Sequence, residues 1–238
     1  MTNQFMNRCD ERQKALQTRG KLLETKLAIL FQAETNSTGT MRRSYRPEFS
    51  LFSATGARKY LTDAERRRFQ STIANLAARQ RLFCETLLWS GGRVSEILAL
   101  VSDAVDLDNG SIALLTLKRR QEGVVRQIPL PRAVIRDLAS EFQIRDAQLN
   151  AETASCRLWP WSRTTAWRLV KKVMAAAGVV GVPASPKGLR HTFGVRAFQG
   201  NVPPHLVQRW LGHASLRTTS IYGDVSGKEE RQIGRAHV

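Results

Sequence analysis

The run Ser185-Pro186-Lys187-Gly188-Leu189-Arg190-His191-Thr192-Phe193 collects groups that hold an anion. Ser185 can cap a helix, and the fixed φ of Pro186 suits a first helical position, so the spacing predicts a helix starting there. Lys187 and Arg190 then share one face of its first turns. Two cations beside a helix N-terminus, whose free amides and positive dipole end also attract negative charge, make a phosphate seat. Downstream stand Leu211-Gly212-His213 and Ile221-Tyr222-Gly223. Gly212 can end a helix that begins around Pro203-Pro204 and has Leu206, Val207, Trp210 and Leu211 as its core face, which leaves His213 just outside a helix end. Gly223 can close the short segment that carries Tyr222, placing the phenol near a chain bend where it can move.

Other elements must bring these groups together. Thr62 and Glu65 have capping-box spacing, so the main domain begins near residue 58 with a helix after Thr62. Leu82, Phe83, Leu87 and Leu88 mark a buried helix over 81–90, which Gly91-Gly92 can end in a left-handed turn. Arg93 opens a further helix with Val94, Ile97, Leu98 and Val101 on its core stripe. The apolar runs 111–118 and 124–130, around the polar turn 119–123, predict a β-hairpin with Lys118 near its tip. Helical patterning resumes at Arg132 and includes a segment through Trp167-Arg168-Leu169-Val170 that ends near Gly178. The fold class expected is mainly α with a small antiparallel sheet, α+β. Residues 1–57 read as a short N-terminal helix over 10–33 followed by a polar, basic linker with Arg42, Arg43 and Arg46.

With 37 Lys and Arg against 20 Asp and Glu, the net charge of +17 points to a polyanion, because neutralising phosphates releases condensed counterions. No apolar run approaches the roughly 20 residues that cross a bilayer, and the opening residues lack the apolar segment of a secretory signal. Cys9, Cys84 and Cys156 have neither disulfide nor metal-ligand spacing, so reduced thiols in a cytoplasmic setting are expected, with no metal. His205 and His237 show no ligand spacing with them. There is no phosphate-binding GxxxxGK[ST] loop.

Arg93 in Gly92-Arg93-Val94-Ser95-Glu96-Ile97, the Leu189-Arg190-His191-Thr192-Phe193 box, Leu211-Gly212-His213 and Tyr222, in that order and with Lys118 between the first two, resemble the tyrosine recombinases of the phage-integrase type. The resemblance covers residue 58 to the C-terminus. It implies a site-specific recombinase that cuts and rejoins duplex DNA for integration, excision or inversion, without metal or ATP. Arg93 and Arg190 would clamp the nonbridging phosphate oxygens, for which forked guanidinium donors are suited. His213 would add a hydrogen bond, Tyr222 would attack phosphorus to give a 3′-phosphotyrosine, and Lys118 would protonate the leaving 5′ oxygen. Lys187 stands where the family most often has histidine. It is read first as a phosphate contact and second as acceptor of the Tyr222 proton.

The expected partners are duplex DNA and three further copies in a tetramer on two DNA sites, with room for an accessory DNA-bending protein and no membrane. Residues 1–57 are short for a full DNA clamp, as in the compact, invertase-like members. Two other functions fit the same boxes: a noncatalytic DNA-binding regulator and a type IB topoisomerase. Taken singly, Arg93 with Glu96 reads as a helix-surface ion pair and Tyr222 as a packing residue; a solvated charge is the alternative for Lys118, and His191 is assigned as an inward histidine satisfied by hydrogen bonds.

Overall fold

The computed structural model describes residues 50–116 and 124–225. The expected helix over 10–33, the linker up to residue 49, the hairpin tip with Lys118 and the tail from residue 226 lie outside the described residues.

Helix α1 (Asp63–Ala74) starts with the expected capping box: the Glu65 amide donates to the Thr62 hydroxyl, and the Thr62 amide donates to the Glu65 carboxylate. Such a cap is worth about 1 kcal/mol. Helix α2 (Ala78–Ser90) follows and ends at Gly91, which takes the left-handed conformation at φ 61°. Arg93 caps α3, but α3 is only Val94–Leu98; Val101 falls beyond it and bridges to Arg157. The core stripe expected for one long helix therefore serves one turn and the strand-like segment after it.

Strands β1 (Val105–Asp106), β2 (Ser111–Leu115) and β3 (Val125–Pro129) form an antiparallel sheet in that order. The sequence predicted the β2–β3 hairpin and missed β1, which at two residues is too short to show a period. Leu114 pairs with Arg126 and Ile112 with Ile128, and all four are buried. Alternation thus turns Arg126 inward beside Ile128, a charge on the apolar face of a strand.

Helices α4 (Arg132–Glu141), α5 (Ile144–Gln148), α6 (Ala151–Ala154) and α7 (Arg163–Ala176) return the chain to α8 (Pro186–Gln199), α9 (Pro204–Leu211) and α10 (Arg217–Ser220). Ser185 caps α8 as expected, accepting from the Gly188 amide, with Pro186 at the first position. The main core joins Phe69, Leu82, Phe83, Ile97, Ile112, Trp159, Met174 and Leu189. A second cluster holds Val195, Val207, Leu211, Ile221 and Tyr222 under α8 and α9. Cys84 and Cys156 are free thiols, and no helix among the described residues is long and apolar enough to cross a membrane.

Candidate active site

Arg93, Lys187, Arg190, His213 and Tyr222, five of the six expected site residues, line one cleft of about 630 Å³; the sixth, Lys118, lies outside the described residues. Ser185 and Pro186 at the start of α8 line it too, as do Lys59, Arg163 and Trp167, which the sequence did not single out. No Asp or Glu among the described residues lines the cleft, and the Glu96 that pairs with Arg93 lies behind its surface. Lys187 is exposed and Arg93 half-buried, while Arg190 is buried at 9%.

Burial of Arg190 needs compensation, and two helix ends supply it. Its guanidinium donates to the carbonyls of Gly91, 2.7 Å away at the end of α2, and of Leu211, the last residue of α9. Helix C-termini carry unpaired carbonyls and the negative end of the dipole, so one cation satisfies two such ends at once. Burial first, then repulsion from Arg93, lowers the Arg190 pKa to about 10, which leaves it charged at neutral pH.

Glu96 organises the other half of the framework. One carboxylate oxygen accepts from Arg93 at 2.6 Å, and the other from Arg126 at 2.8 Å and from the Arg93 amide at 2.9 Å. Burial pushes the Glu96 pKa up, but the Arg93 amide and the two guanidinium groups outweigh it, and the carboxyl ionises below its ordinary range. Arg126 also donates to the Leu211 carbonyl at 3.3 Å, so the chain of contacts runs from Arg93 through Glu96, Arg126 and Leu211 to Arg190. Gly212 is required where this chain closes: its φ is 62°, and a Cβ there would sit 1.9 Å from the Arg126 guanidinium. The Arg93–Glu96 pair is thus not a surface ion pair, since Glu96 is 1% exposed.

Tyr222 is 2% exposed, and its ring rests on the backbone of α8, where a Cβ on Gly194 would lie 2.6 Å from it. The His213 ring stacks on it at 6.2 Å and 11°. The bend at Gly223 therefore does not leave the phenol loose: the ring is packed, and Tyr222 lines the same cleft as both arginines. Burial drives the phenol up to about 12, against the pull of Arg190. His213 hydrogen-bonds the buried Thr219 hydroxyl through Nδ1 at 2.9 Å, and burial followed by Arg190 and Arg93 lowers its pKa to about 3.

His191 departs from expectation. Its Nδ1 lies 3.2 Å from the Tyr222 hydroxyl, and its buried Nε2 has no hydrogen-bond partner among the described residues. Among the described residues one ring nitrogen is thus bonded, to the phenol, and the other is not. Its spacing of one from Arg190 gives no sign of this, because the partner arrives from another element. Arg126 does carry a signal in the sequence, a charge in phase with Ile128 and Leu130 on an alternating run.

A model of the Phage integrase family matches residues 59–229. The chain belongs to the phage integrase family. Among curated relatives, tyrosine recombinase XerA of Pyrococcus furiosus is 29% identical over 184 residues, covering 76% of this chain and 62% of the relative. XerA of Thermococcus kodakarensis is 32% identical over 177 residues, covering 73% and 61%. The chain thus spans about three fifths of the length of these relatives. Of the solved structures, a XerA recombinase superposes with a TM-score of 0.61 at 23% identity, covering 75% of this chain and 64% of that one, which shows a shared fold. The pre-cleavage complex of XerH site-specific recombinase with its difH substrate gives 0.59 at 22% identity, covering 79% and 59%.

Proposed function

We propose that this chain cleaves and rejoins duplex DNA as a site-specific recombinase, through a 3′-phosphotyrosyl bond to Tyr222. The observation that carries the reading is the convergence of Arg93, Arg190, His213 and Tyr222 on one cleft that no carboxylate lines among the described residues. A phosphodiester gains charge on its nonbridging oxygens as it is attacked, and prepositioned donors in a partly dry site stabilise that charge most. Arg93 and Arg190 clamp those oxygens. Both are held by partners that do not need to move when a phosphate arrives.

With the Thr219 hydroxyl as the donor to Nδ1 of neutral His213, 2.9 Å away, Nε2–H is left to donate to the phosphate. Lys187, exposed at the first turn of α8, contacts the phosphate or its neighbour along the strand. Lys118 protonates the 5′ oxygen. The catalytic domain is residues 58–238, preceded by residues 1–57 as a short appendage. The protein acts as a tetramer assembled on two DNA sites, and the DNA held by the XerH neighbour supports duplex DNA as the partner.

The test is incubation with nicked duplexes of randomised sequence, from which the cut fragment diffuses away, followed by a denaturing gel. A protein–DNA adduct absent from Tyr222→Phe is expected. An adduct that persists in Tyr222→Phe, or binding with no adduct from any sequence in the pool, contradicts the proposal, the second outcome favouring a noncatalytic regulator. Relaxation of supercoiled plasmid lacking a selected site favours the topoisomerase reading.

A further inference from the structure

We propose that His191 takes the Tyr222 proton during cleavage and returns it during rejoining; this rests on the reading of Tyr222 as the nucleophile. The imidazole Nδ1, at 3.2 Å, is the one hydrogen-bond partner of the phenol oxygen among the described residues. Lys187, the acceptor suggested by its place in the sequence, makes no such contact there.

Protonation states set the direction of this bond. The phenol, raised to about 12 by burial, keeps its hydrogen at neutral pH and donates it. His191 is faced by Lys187 and Arg190 on its own helix, by Lys59 from the segment before α1, and by Tyr222 and His213 from the chain after α9. Burial, then Lys187, Arg190 and Lys59, lowers its pKa to about 4, so the ring is neutral and its Nδ1 lone pair is available. Nε2 then carries the ring hydrogen.

A bound phosphate changes this balance in the required sense. Its negative charge offsets the cations that hold the imidazole neutral, and bonding to phosphorus lowers the affinity of the phenol oxygen for its proton. In the step, the Tyr222 oxygen–phosphorus bond forms, the bond from phosphorus to the 5′ oxygen breaks, and the phenol proton moves to Nδ1. The 5′ oxygen takes a proton from Lys118. Rejoining reverses each transfer, and no electrons are gained or lost.

Two variants separate a proton acceptor from a positioning contact. In His191→Asn the amide oxygen can still accept the phenol hydrogen bond but cannot take the proton; His191→Ala removes both. Single-turnover adduct formation is measured from pH 6 to 9 on a duplex selected from the pool, and on the same duplex with sulfur as the bridging 5′ atom, a leaving group that needs no acid. Unfolding midpoints and DNA affinity serve as controls. Both variants are expected to lose about 10²–10⁴-fold in rate on both substrates with affinity kept, and the rate should rise with pH as hydroxide replaces the lost acceptor. Lys118→Ala, in contrast, should recover on the sulfur substrate. Near-normal rates in His191→Asn, or a variant pH profile parallel to the wild type, overturn the assignment while leaving Tyr222 as nucleophile. Failure of the wild type to form any adduct instead overturns the nucleophile reading, and the assignment with it.

Discussion

The two walls of the cleft are held by different physics. On the cationic wall, Arg93, Arg126 and Arg190 are tied by Glu96 and by the carbonyls of Gly91 and Leu211, with every link charge-assisted. On the aromatic wall, Tyr222 is held by packing on Gly194, by stacking on His213 and by one hydrogen bond to His191. It stands two residues past the end of α10, a helix of four residues. The contrast suits the proposed chemistry: a phosphate clamp works best when already built, whereas a nucleophile must travel onto phosphorus and back. Charge-assisted links resist displacement, whereas the Tyr222 side chain has one hydrogen bond and is otherwise held by packing.

The comparison breaks first at Glu96. Replacement by Ala leaves Arg126 as a buried, uncompensated charge, for which a loss of about 3–5 kcal/mol is expected, read from urea unfolding. Adduct formation should vanish with it. A cost below 1 kcal/mol would mean that the network does not hold the wall together.

Gly194→Ala attacks the other wall. The added methyl overlaps the Tyr222 ring, and overpacking of this kind costs about 1–3 kcal/mol. Displacing the ring toward solvent should bring the phenol down from about 12 toward its ordinary 10, visible as tyrosinate absorbance. Phosphate binding should stay unchanged, since the arginines are held by Glu96 and by the carbonyls of Gly91 and Leu211. If phosphate binding falls equally, the walls are not independent.

Acidity sharpens the difference further. His191 and His213 titrate at about 4 and 3 when folded against 6.5 ordinarily, so between pH 6.5 and those values the unfolded chain binds more protons and stability falls with pH. Glu96, depressed below 4.5, keeps its contribution until the pH drops below that value. The aromatic wall should therefore weaken first on acidification. Replacing both histidines by Asn should flatten the urea midpoint between pH 6.5 and 4.5, and an unchanged slope would contradict the burial of neutral rings.

Much of this was legible in sequence because it is local. The Thr62–Glu65 box, the Ser185-Pro186 helix start and the Gly91 and Gly212 stops each lie within one turn of the residues they govern. The ordered boxes also identified five cleft residues. Hidden were contacts whose partners meet only in three dimensions: His191 with Tyr222, Arg126 with Glu96 and Leu211, and Tyr222 with Gly194. The reading of α3 as a longer helix failed because Leu100 and Val101 continue the apolar pattern after the backbone has left the helix.

The central claim is that the phenol of Tyr222 bonds to phosphorus between two fixed arginines. Its most direct test is a tryptic digest of the trapped adduct, with the attached nucleotide located by fragmentation mass spectrometry. The expected result is a nucleotide on Tyr222 itself, joined through a 3′-phosphate, with no adduct from the Arg190→Ala protein. Attachment at another side chain, such as Thr218 or Ser220 in the same peptide, or through a 5′-phosphate, would contradict it.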